Sequence, residues 1–576
     1  MSMKKSIILL FFIASMQVFS QSVNTHQISI DEARQIAADF FGRSSSVGAR
    51  PSRVKGNVAR PALAYKAGPE ESTSFYVFNN ASDGFVIIGG NSDMPSILGF
   101  SDNGSFDYEK APDNFVWWLK QYEKCGTLSR TNGISSRKSI KPLLTTTWGQ
   151  DKPYNNAIPG IGGNYKAFVT GCTSTAISQI MRYYKYPQKG RGETSYTIKY
   201  NSGEFVLTFS ADFGNTTYDW DNMLDDYSAG YNQIQADAVA TLMYHVAVSE
   251  QTRFGSRGSS ADSRDGATAL INNFNYDKGL MRGERNYFTD EEWEEIIYNE
   301  LANGRPVLYD GVSITEDGKS GHAFVCHGYN EDDNMFAINW GWNGLYDGYY
   351  ALTGKTALNP DTDDQSEGEG FTSNQTIYYN IKPDEGGESV VCLASKDAAV
   401  LSEQNGDVIE LISIDRAKGT EMDLNFRYTP YNLGLAHAFF HYGIIIRNIE
   451  NGHTYYKSDG ISLLPSGYFY SLPVSISFNT SMIPNNGIYE VLPAYSLDDG
   501  TTWDVMQYNV SQKISRISIS GGENEESVNE VETIFSGTNN DIRGIYNLEG
   551  KRIPHYQKGL NVVKYSNGMT RKVFME

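Results

Sequence analysis

Phe168-Val169-Thr170-Gly171-Cys172-Thr173-Ser174-Thr175-Ala176 is a stretch in which glycine and small hydroxyl residues give way to a helical apolar pattern. From Ala176 onward, Ile177, Ile180, Met181 and Tyr184 recur at helix spacing, and the run ends near Pro187. The thiol of Cys172 therefore falls on or just before the first turn of a helix. Unpaired backbone N–H groups and the helix dipole at such a place favour the thiolate, the form of cysteine that attacks carbonyl carbon. A lone cysteine in this position is more often a small buried side chain at a tight helix entry. What lies downstream decides between the two.

A nucleophilic thiol needs a base, a group that orients the base, and donors for an oxyanion. Three histidines follow Cys172 before residue 383: His245, His322 and His327. His245 ends the apolar run Ala238–Tyr244 and reads as a packed helix histidine. His322 and His327 lie in Gly321-His322-Ala323-Phe324-Val325-Cys326-His327, five apart on a strand, so they point to opposite faces. Gly321 gives His322 room for close approach of a substrate backbone, and His322 is the better base. Cys326 shares its face but stands four strand residues away, roughly 13 Å, and out of reach. After the turn residues Asn330 to Asn334 comes Met335-Phe336-Ala337-Ile338-Asn339-Trp340-Gly341-Trp342, a return strand. A simple hairpin register sets position 342 opposite His322, so Asn339 needs an offset or bulge to orient the imidazole, with Trp340 shielding the contact. Taken alone, Asn-Trp-Gly-Trp reads equally well as an aromatic-capped strand end. Upstream, Gln150 in Thr147-Trp148-Gly149-Gln150 is a candidate side-chain donor to an oxyanion beside the Cys172 backbone N–H.

These motifs together resemble the streptopain family of papain-like cysteine peptidases: Gln150 with Pro153-Tyr154-Asn155, Gly171-Cys172 with Gln179-Ile180-Met181 and Tyr186-Pro187, Gly321–Val325, and Asn339–Trp342. The resemblance implies Cys172 as nucleophile and His322 as general base and acid. It further implies Gln150 in the oxyanion hole, and Asn339 with Trp340 orienting and covering His322. The loop Phe254–Ser260 resembles the family's substrate-cleft loop, which implies that Ser259 and Gly321 contact substrate backbone. This loop is also where the chain departs most, carrying Arg257 and needing a gap; Asp262 and Arg264 beside it read as a solvated loop pair. A bulky apolar side chain two residues before the scissile bond is the family's implied preference. No metal or organic cofactor is implied.

The rest of the 576 residues sets the frame. Such a length suggests about three to five folded units, and 55 glycines, 38 tyrosines and 28 phenylalanines favour strands and loops over helical bundles. The expected class is α+β: a propeptide α+β unit, a papain-like catalytic domain, a C-terminal β-sandwich and a small β module. Lys4 and Lys5 precede the apolar run Ile7–Ala14, an export signal cut after Ser20. The run falls short of the roughly 20 apolar residues of a membrane span, and no later segment supplies one. The expected location is secreted or cell surface, in a Gram-negative bacterium. The net charge of −20 without a basic block argues against nucleic-acid partners. Four scattered cysteines, Cys125, Cys172, Cys326 and Cys392, give neither a disulfide framework nor metal-ligand spacing.

Residues 21–138 open with a capping box at Ser29–Glu32 and the helical face Ala33, Ile36, Ala37, Phe40 and Phe41. Two strand-like runs, Phe75–Phe78 and Phe85–Ile88, and a capped helix at Asp113–Leu119 follow. The resemblance, weaker here, implies an inhibitory propeptide that fills the cleft; the composition of a Ser/Gly/Lys/Arg-rich connector places the activating nick near Arg137-Lys138. Residues 139–383 carry the thiol motifs. Residues 384–520 change to short strands and turns, as at Leu424–Tyr428, Tyr442–Ile446 and Tyr489–Leu492, and read as a β-sandwich. An acidic linker and a strand module over 521–576 resemble sorting modules of exported Bacteroidetes-type proteins, which makes secretion machinery a candidate partner. Protein or peptide substrates and the chain's own propeptide are the other expected partners. Two rival readings accompany this one: an amidase or peptidoglycan hydrolase using the same acyl-thioester chemistry, and a catalytically silent adhesin that binds through the sandwich.

Overall fold

The computed structural model describes residues 27–521, except 43–59, 69–72, 81–83, 92–93, 95, 102, 109–110, 112–118, 120–136, 161–166, 204, 316–317, 354–374 and 402–407. It also describes the strands Ile542–Tyr546, Arg552–Ile553, Gly559–Tyr565 and Thr570–Met575, and backbone alone over these and over 312–320. The export signal, Cys125 and all but Leu119 of the expected Asp113–Leu119 helix lie outside the described residues.

The frame is a ten-stranded sheet. In chain order its strands are β1 (Ala62–Ala67), β2 (Phe75–Asn79), β3 (Phe85–Gly89) and β4 (Ile97–Ser101), then, after the separate hairpin β5 (Glu193–Tyr200) and β6 (Phe205–Asp212), β7 (Met281–Glu284), β8 (Val307–Thr315), β9 (Gly318–Asn330), β10 (Met335–Asn339), β11 (Gly348–Tyr350) and β12 (Thr376–Tyr379). They lie in the order β1-β2-β3-β4-β11-β10-β9-β8-β12-β7. The N-terminal strands thus extend the sheet of the thiol-bearing unit through β4 and β11, with Phe100 opposite Tyr349 and Gly99 opposite Tyr350. Near-continuous apolar runs such as Phe85–Ile88 and Met335–Ile338 are buried on both faces, as a sheet covered on each side requires.

On one face packs α1 (Ile30–Gly42), whose capping box is formed: the Ser29 N–H donates to Glu32 (2.8 Å) and the Glu32 N–H to Ser29 Oγ (3.3 Å). Its Ala33, Ala37, Phe40 and Phe41 share a core with Tyr76, Phe78 and Met335. The helices α2 (Cys172–Tyr184), α3 (Gln233–Ser249) and α4 (Ser263–Asn273) make a second body with the β5–β6 hairpin. The helix α5 (Asp290–Ala302) lies over the other sheet face, Trp293 and Ile297 in one core with Phe75, Phe85, Phe324 and Trp340.

Beyond residue 390, two sheets face each other. One orders Val474–Asn479, Asp423–Asn432, Leu393–Leu401 and Gln507–Tyr508; the other orders Leu411–Asp415, Arg516–Ser520, Gly487–Ser496, Ala438–Asn448 and Thr454–Leu464, with Asp504–Val505 beside Gly487–Ser496. Phe426, Tyr428, Ile444, Ile446, Val491 and Ile517 fill the space between them, the alternating inner faces of a sandwich. Among the described residues, the four C-terminal strands pair with one another. Arg137 corrects an expectation. It is not an exposed connector residue but is buried, its guanidinium 2.9 Å from Glu294 and over the rings of Tyr298 and Tyr329. Pairing and stacking offset the cost of burying that charge.

Candidate active site

Cys172 is the first residue of α2. The turn before it requires Gly171, whose φ of 97° lies where a side chain is strained; an added Cβ would also stand 3.2 Å from Ser259 Cβ. Thr175 and Ser174 tie the first turn down, donating to the carbonyls of Gly171 (2.8 Å) and Thr170 (3.1 Å). The helix ends at Lys185 in the left-handed conformation, with its N–H on Arg182.

His322 lies on β9, 3% exposed, and lines one cleft of about 700 Å³ together with Cys172, Ser259 and Gly321. Its Nε2–H donates to the Trp340 carbonyl oxygen (3.0 Å). Nδ1 then carries the free lone pair, and among the described residues it has no hydrogen-bond partner. Trp342 stacks on the ring at 4.6 Å and Trp340 at 6.0 Å. The hairpin register accounts for this: Asn339 pairs with Val325 and Ile338 with Cys326, which carries Trp342 level with His322.

That register corrects the role expected of Asn339. A shift does occur in the hairpin, between Ala337 and Ile338, but it leaves Asn339 away from the imidazole. Asn339 instead accepts from Gln179 Nε2 (2.8 Å) and from the Gly341 N–H (3.0 Å), and donates to the Thr146 carbonyl (2.7 Å). Gln179 Oε1 in turn accepts from Thr146 Oγ1 and the Trp148 N–H. This buried network fastens α2, β10 and the segment Thr146–Trp148 together, and the group that orients His322 is the main-chain carbonyl of Trp340. Gln150 is not among the residues lining the cleft; its backbone carbonyl accepts the Thr170 N–H at 3.1 Å.

The thiolate favoured by the helix terminus is also revised. Burial pushes the Cys172 thiol up; the Ala323 backbone N–H opposes this, and the Glu250 carboxyl adds to it. His322 is held down at about 4 by burial, against the pull of the Trp340 carbonyl. Burial thus works against both charged forms, the thiolate and the imidazolium. His327 accepts from the Leu144 N–H (3.2 Å) and His245 contacts Tyr218 Oη (3.1 Å); both are packed residues. Asp262 is not half of a solvated pair but the N-cap of α4, accepting the Arg264 N–H at 2.9 Å.

Sequence reasoning missed Glu250, Asp310 and Arg282, which line the same cleft. A carboxyl ending the apolar run Ala236–Val248 was the available signal for Glu250. Gln179 was noted only as part of a motif, not as the residue that ties three elements together.

A thiol at a helix N-terminus sharing a cleft with a strand imidazole defines the papain-like class of cysteine hydrolase. Residues 148–350 match the peptidase C10 family and residues 25–125 match the Spi protease inhibitor family. Streptopain of Streptococcus pyogenes is 32% identical over 375 residues, covering 61% of this chain and 91% of that protein. The thiol protease/hemagglutinin PrtT of Porphyromonas gingivalis is 34% identical over 382 residues, 62% of this chain; the chain spans 42% of that relative's length. A fragment of Prevotella intermedia prointerpain A is 34% identical, with 55% of this chain and 98% of that one covered and a TM-score of 0.46. The chain belongs to the peptidase C10 family of cysteine peptidases.

Proposed function

We propose that the chain is a secreted cysteine endopeptidase made as a zymogen. The observation that carries this reading is the placing of Cys172 and His322 on one cleft, with Nε2 of the imidazole held by Trp340 and Nδ1 open. Nδ1 takes the thiol proton, and the thiolate attacks the peptide carbonyl carbon. The Cys172 N–H and the Gln150 side chain hold the oxyanion, and Nδ1–H passes its proton to the leaving amine. A water deprotonated by the same nitrogen then opens the thioester, releasing the acid and restoring the thiol. Ser259 and Gly321 flank the substrate backbone, while Asn339 and Trp340 support the base from behind.

Latency fits two features. His322 Nδ1 has no hydrogen-bond partner among the described residues, and the inhibitor-like unit is bound beside the base's support. Ser101 Oγ donates to the Asp347 carbonyl (2.5 Å), and the Asp347 carboxylate accepts the Trp340 N–H (2.8 Å). Among the described residues, none from 27 to 119 lines the cleft; the contact they make beside the base is with Asp347, which holds the Trp340 N–H. Processing falls on the connector sequence before Arg137. Export through the N-terminal signal, the 384–520 sandwich as an accessory domain and the 521–576 module as a sorting element complete the proposal.

The test is labelling of the full chain, before and after limited proteolysis, with an epoxide probe that alkylates active-site thiols. Labelling only after processing, lost in Cys172→Ala and His322→Ala, is expected. Full labelling of the uncut chain overturns the zymogen part; no labelling in either form overturns the peptidase reading.

A further inference from the structure

Gln179 follows Cys172 on α2 by close to two helical turns, so the two side chains leave the helix on nearly the same face. Gln179 is buried, as is Asn339 on β10, and neither lines the cleft. An amide held away from water is stable only with its hydrogen bonds made. Here the pattern of those bonds leads from the nucleophile's helix to the support of the base.

Two backbone N–H groups, which can only donate, fix how the two amides are turned. The Trp148 N–H lies 3.2 Å from Gln179 Oε1, and the Gly341 N–H lies 3.0 Å from Asn339 Oδ1. Gln179 therefore turns Nε2 to Asn339 and donates to its Oδ1 at 2.8 Å. Asn339 turns Nδ2 to the Thr146 carbonyl (2.7 Å), and Thr146 Oγ1 donates back to Gln179 Oε1 (2.8 Å). The ring closes with each donor on an acceptor. Its members border the chemistry on three sides. Trp148 stands just ahead of Gln150, and α2 begins with Cys172. Asn339 and Gly341 bracket Trp340, whose carbonyl holds His322 Nε2 at 3.0 Å.

We propose that Gln179 is a positioning residue of the peptidase: its amide holds the strand end that orients His322, and the segment leading to Gln150, in register with the helix that carries Cys172. This rests on the peptidase reading above. A displacement of about 1 Å between reacting groups costs on the order of 100-fold in rate. Gln179 touches neither the substrate nor the reacting atoms, so its loss falls on kcat and spares KM. A glutamine that merely fills the core gives the opposite signature, a lower melting temperature with kcat unchanged.

The experiment measures kcat and KM of the processed full-length protein on a fluorogenic peptide, with thermal melts of each variant and with casein digestion and epoxide labelling of the wild type. Gln179→Met keeps the length of the side chain and removes its donor; kcat should fall about tenfold or more with KM within about twofold. Ile180→Val loosens the same helix from its apolar side and should lower the melting temperature while leaving kcat within about twofold. Gln179→Glu matches the amide in shape. Protonated, it donates to Asn339 Oδ1; ionised, it sets oxygen against oxygen. Its kcat relative to wild type should therefore rise as pH falls from about 8 to about 5. A folded Gln179→Met with wild-type kcat overturns the inference and leaves the peptidase reading standing, and so does an Ile180→Val that loses kcat as heavily. Should Gln179→Met not fold, Gln179→Glu decides alone: a kcat ratio to wild type that is the same at both pH values overturns the inference. A wild type that neither cleaves casein nor takes the label overturns both.

Discussion

The inhibitor-like unit and the sandwich meet the peptidase body in opposite ways. The first joins it as sheet: β4 pairs with β11, and Phe75, Phe85 and Leu98 fill the same core as Trp293, Phe324 and Trp340. The second arrives with its own core and touches through a small patch. Tyr431 Oη donates to Glu284 (2.5 Å), the Val510 N–H donates to the Asn286 carbonyl (3.0 Å), and Tyr287 packs with Tyr431, Leu433 and Ala394. A unit that shares a core and a sheet edge cannot leave without exposing both, which costs apolar burial and leaves strand groups unpaired. A unit with a separate core can shift or detach and remain folded.

Cutting the shared core is the strongest way to break this contrast. Phe85 is fully buried on β3, its ring 5.7 Å from Phe106 and 5.8 Å from Tyr346 of the peptidase body. Phe85→Ala should cost about 3–5 kcal/mol, read as a lower urea midpoint of the peptidase transition in the unprocessed chain. If only a separate N-terminal transition moves, the two units do not share a core.

The junction should also respond to pH. Asp347 bridges Ser101 and Trp340, and burial lifts its carboxyl from 3.8 to about 7, against the Trp340 N–H that favours the anion. The folded chain thus holds this proton more tightly than the unfolded one. Its contribution is complete below about pH 4 and is lost as pH rises through 7. At about 1.4 kcal/mol per unit the ceiling is about 4 kcal/mol, and water reaching the half-buried group lowers it. Asp347→Asn keeps an acceptor for Trp340 without titrating. Thermal melts should place the variant near wild type at pH 4 and above it at pH 8; equal spacing at both would remove Asp347 from the junction's energetics. His322, held down at about 4, works the other way, its share present above about 6.5 and lost as pH falls through 4.

What could be read from the chain divides along the same line between local and distant interactions. The entry to α2, the capping box of α1 and the face shared by His322 and position 342 follow from period and turn chemistry within a few residues, and the structure has them. Asn339 was the residue misassigned, because its partners Gln179 and Thr146 are 160 and 193 positions away, and no periodicity reports a hydrogen bond over that distance. Arg137 and Glu250 were misjudged or overlooked for a related reason. A charge is expected at the surface unless its partner is known, and Glu294 and Ser174 became visible only in the fold. Desolvation, which works against a thiolate at Cys172, depends on everything packed around the helix end rather than on the helix itself.

The smallest effect belongs to the looser unit. Tyr431→Phe removes the hydroxyl that donates to Glu284 while keeping the ring against Phe469, whose centroid is 6.1 Å away. The loss should be about 1–2 kcal/mol, since the lost partner is a hydrogen bond to a charged group. It should appear as faster hydrogen exchange at Tyr287 and Leu433 rather than as a change in the sandwich's own melting, whose core does not include Tyr431. Arg282 lies 2.7 Å from Glu284 and does not need that hydroxyl to pair with it, so peptide cleavage should change little. If the sandwich melts earlier in Tyr431→Phe, its stability depends on the peptidase after all. The distinction between a unit built into the sheet and a unit resting against it would then fail at its weaker end.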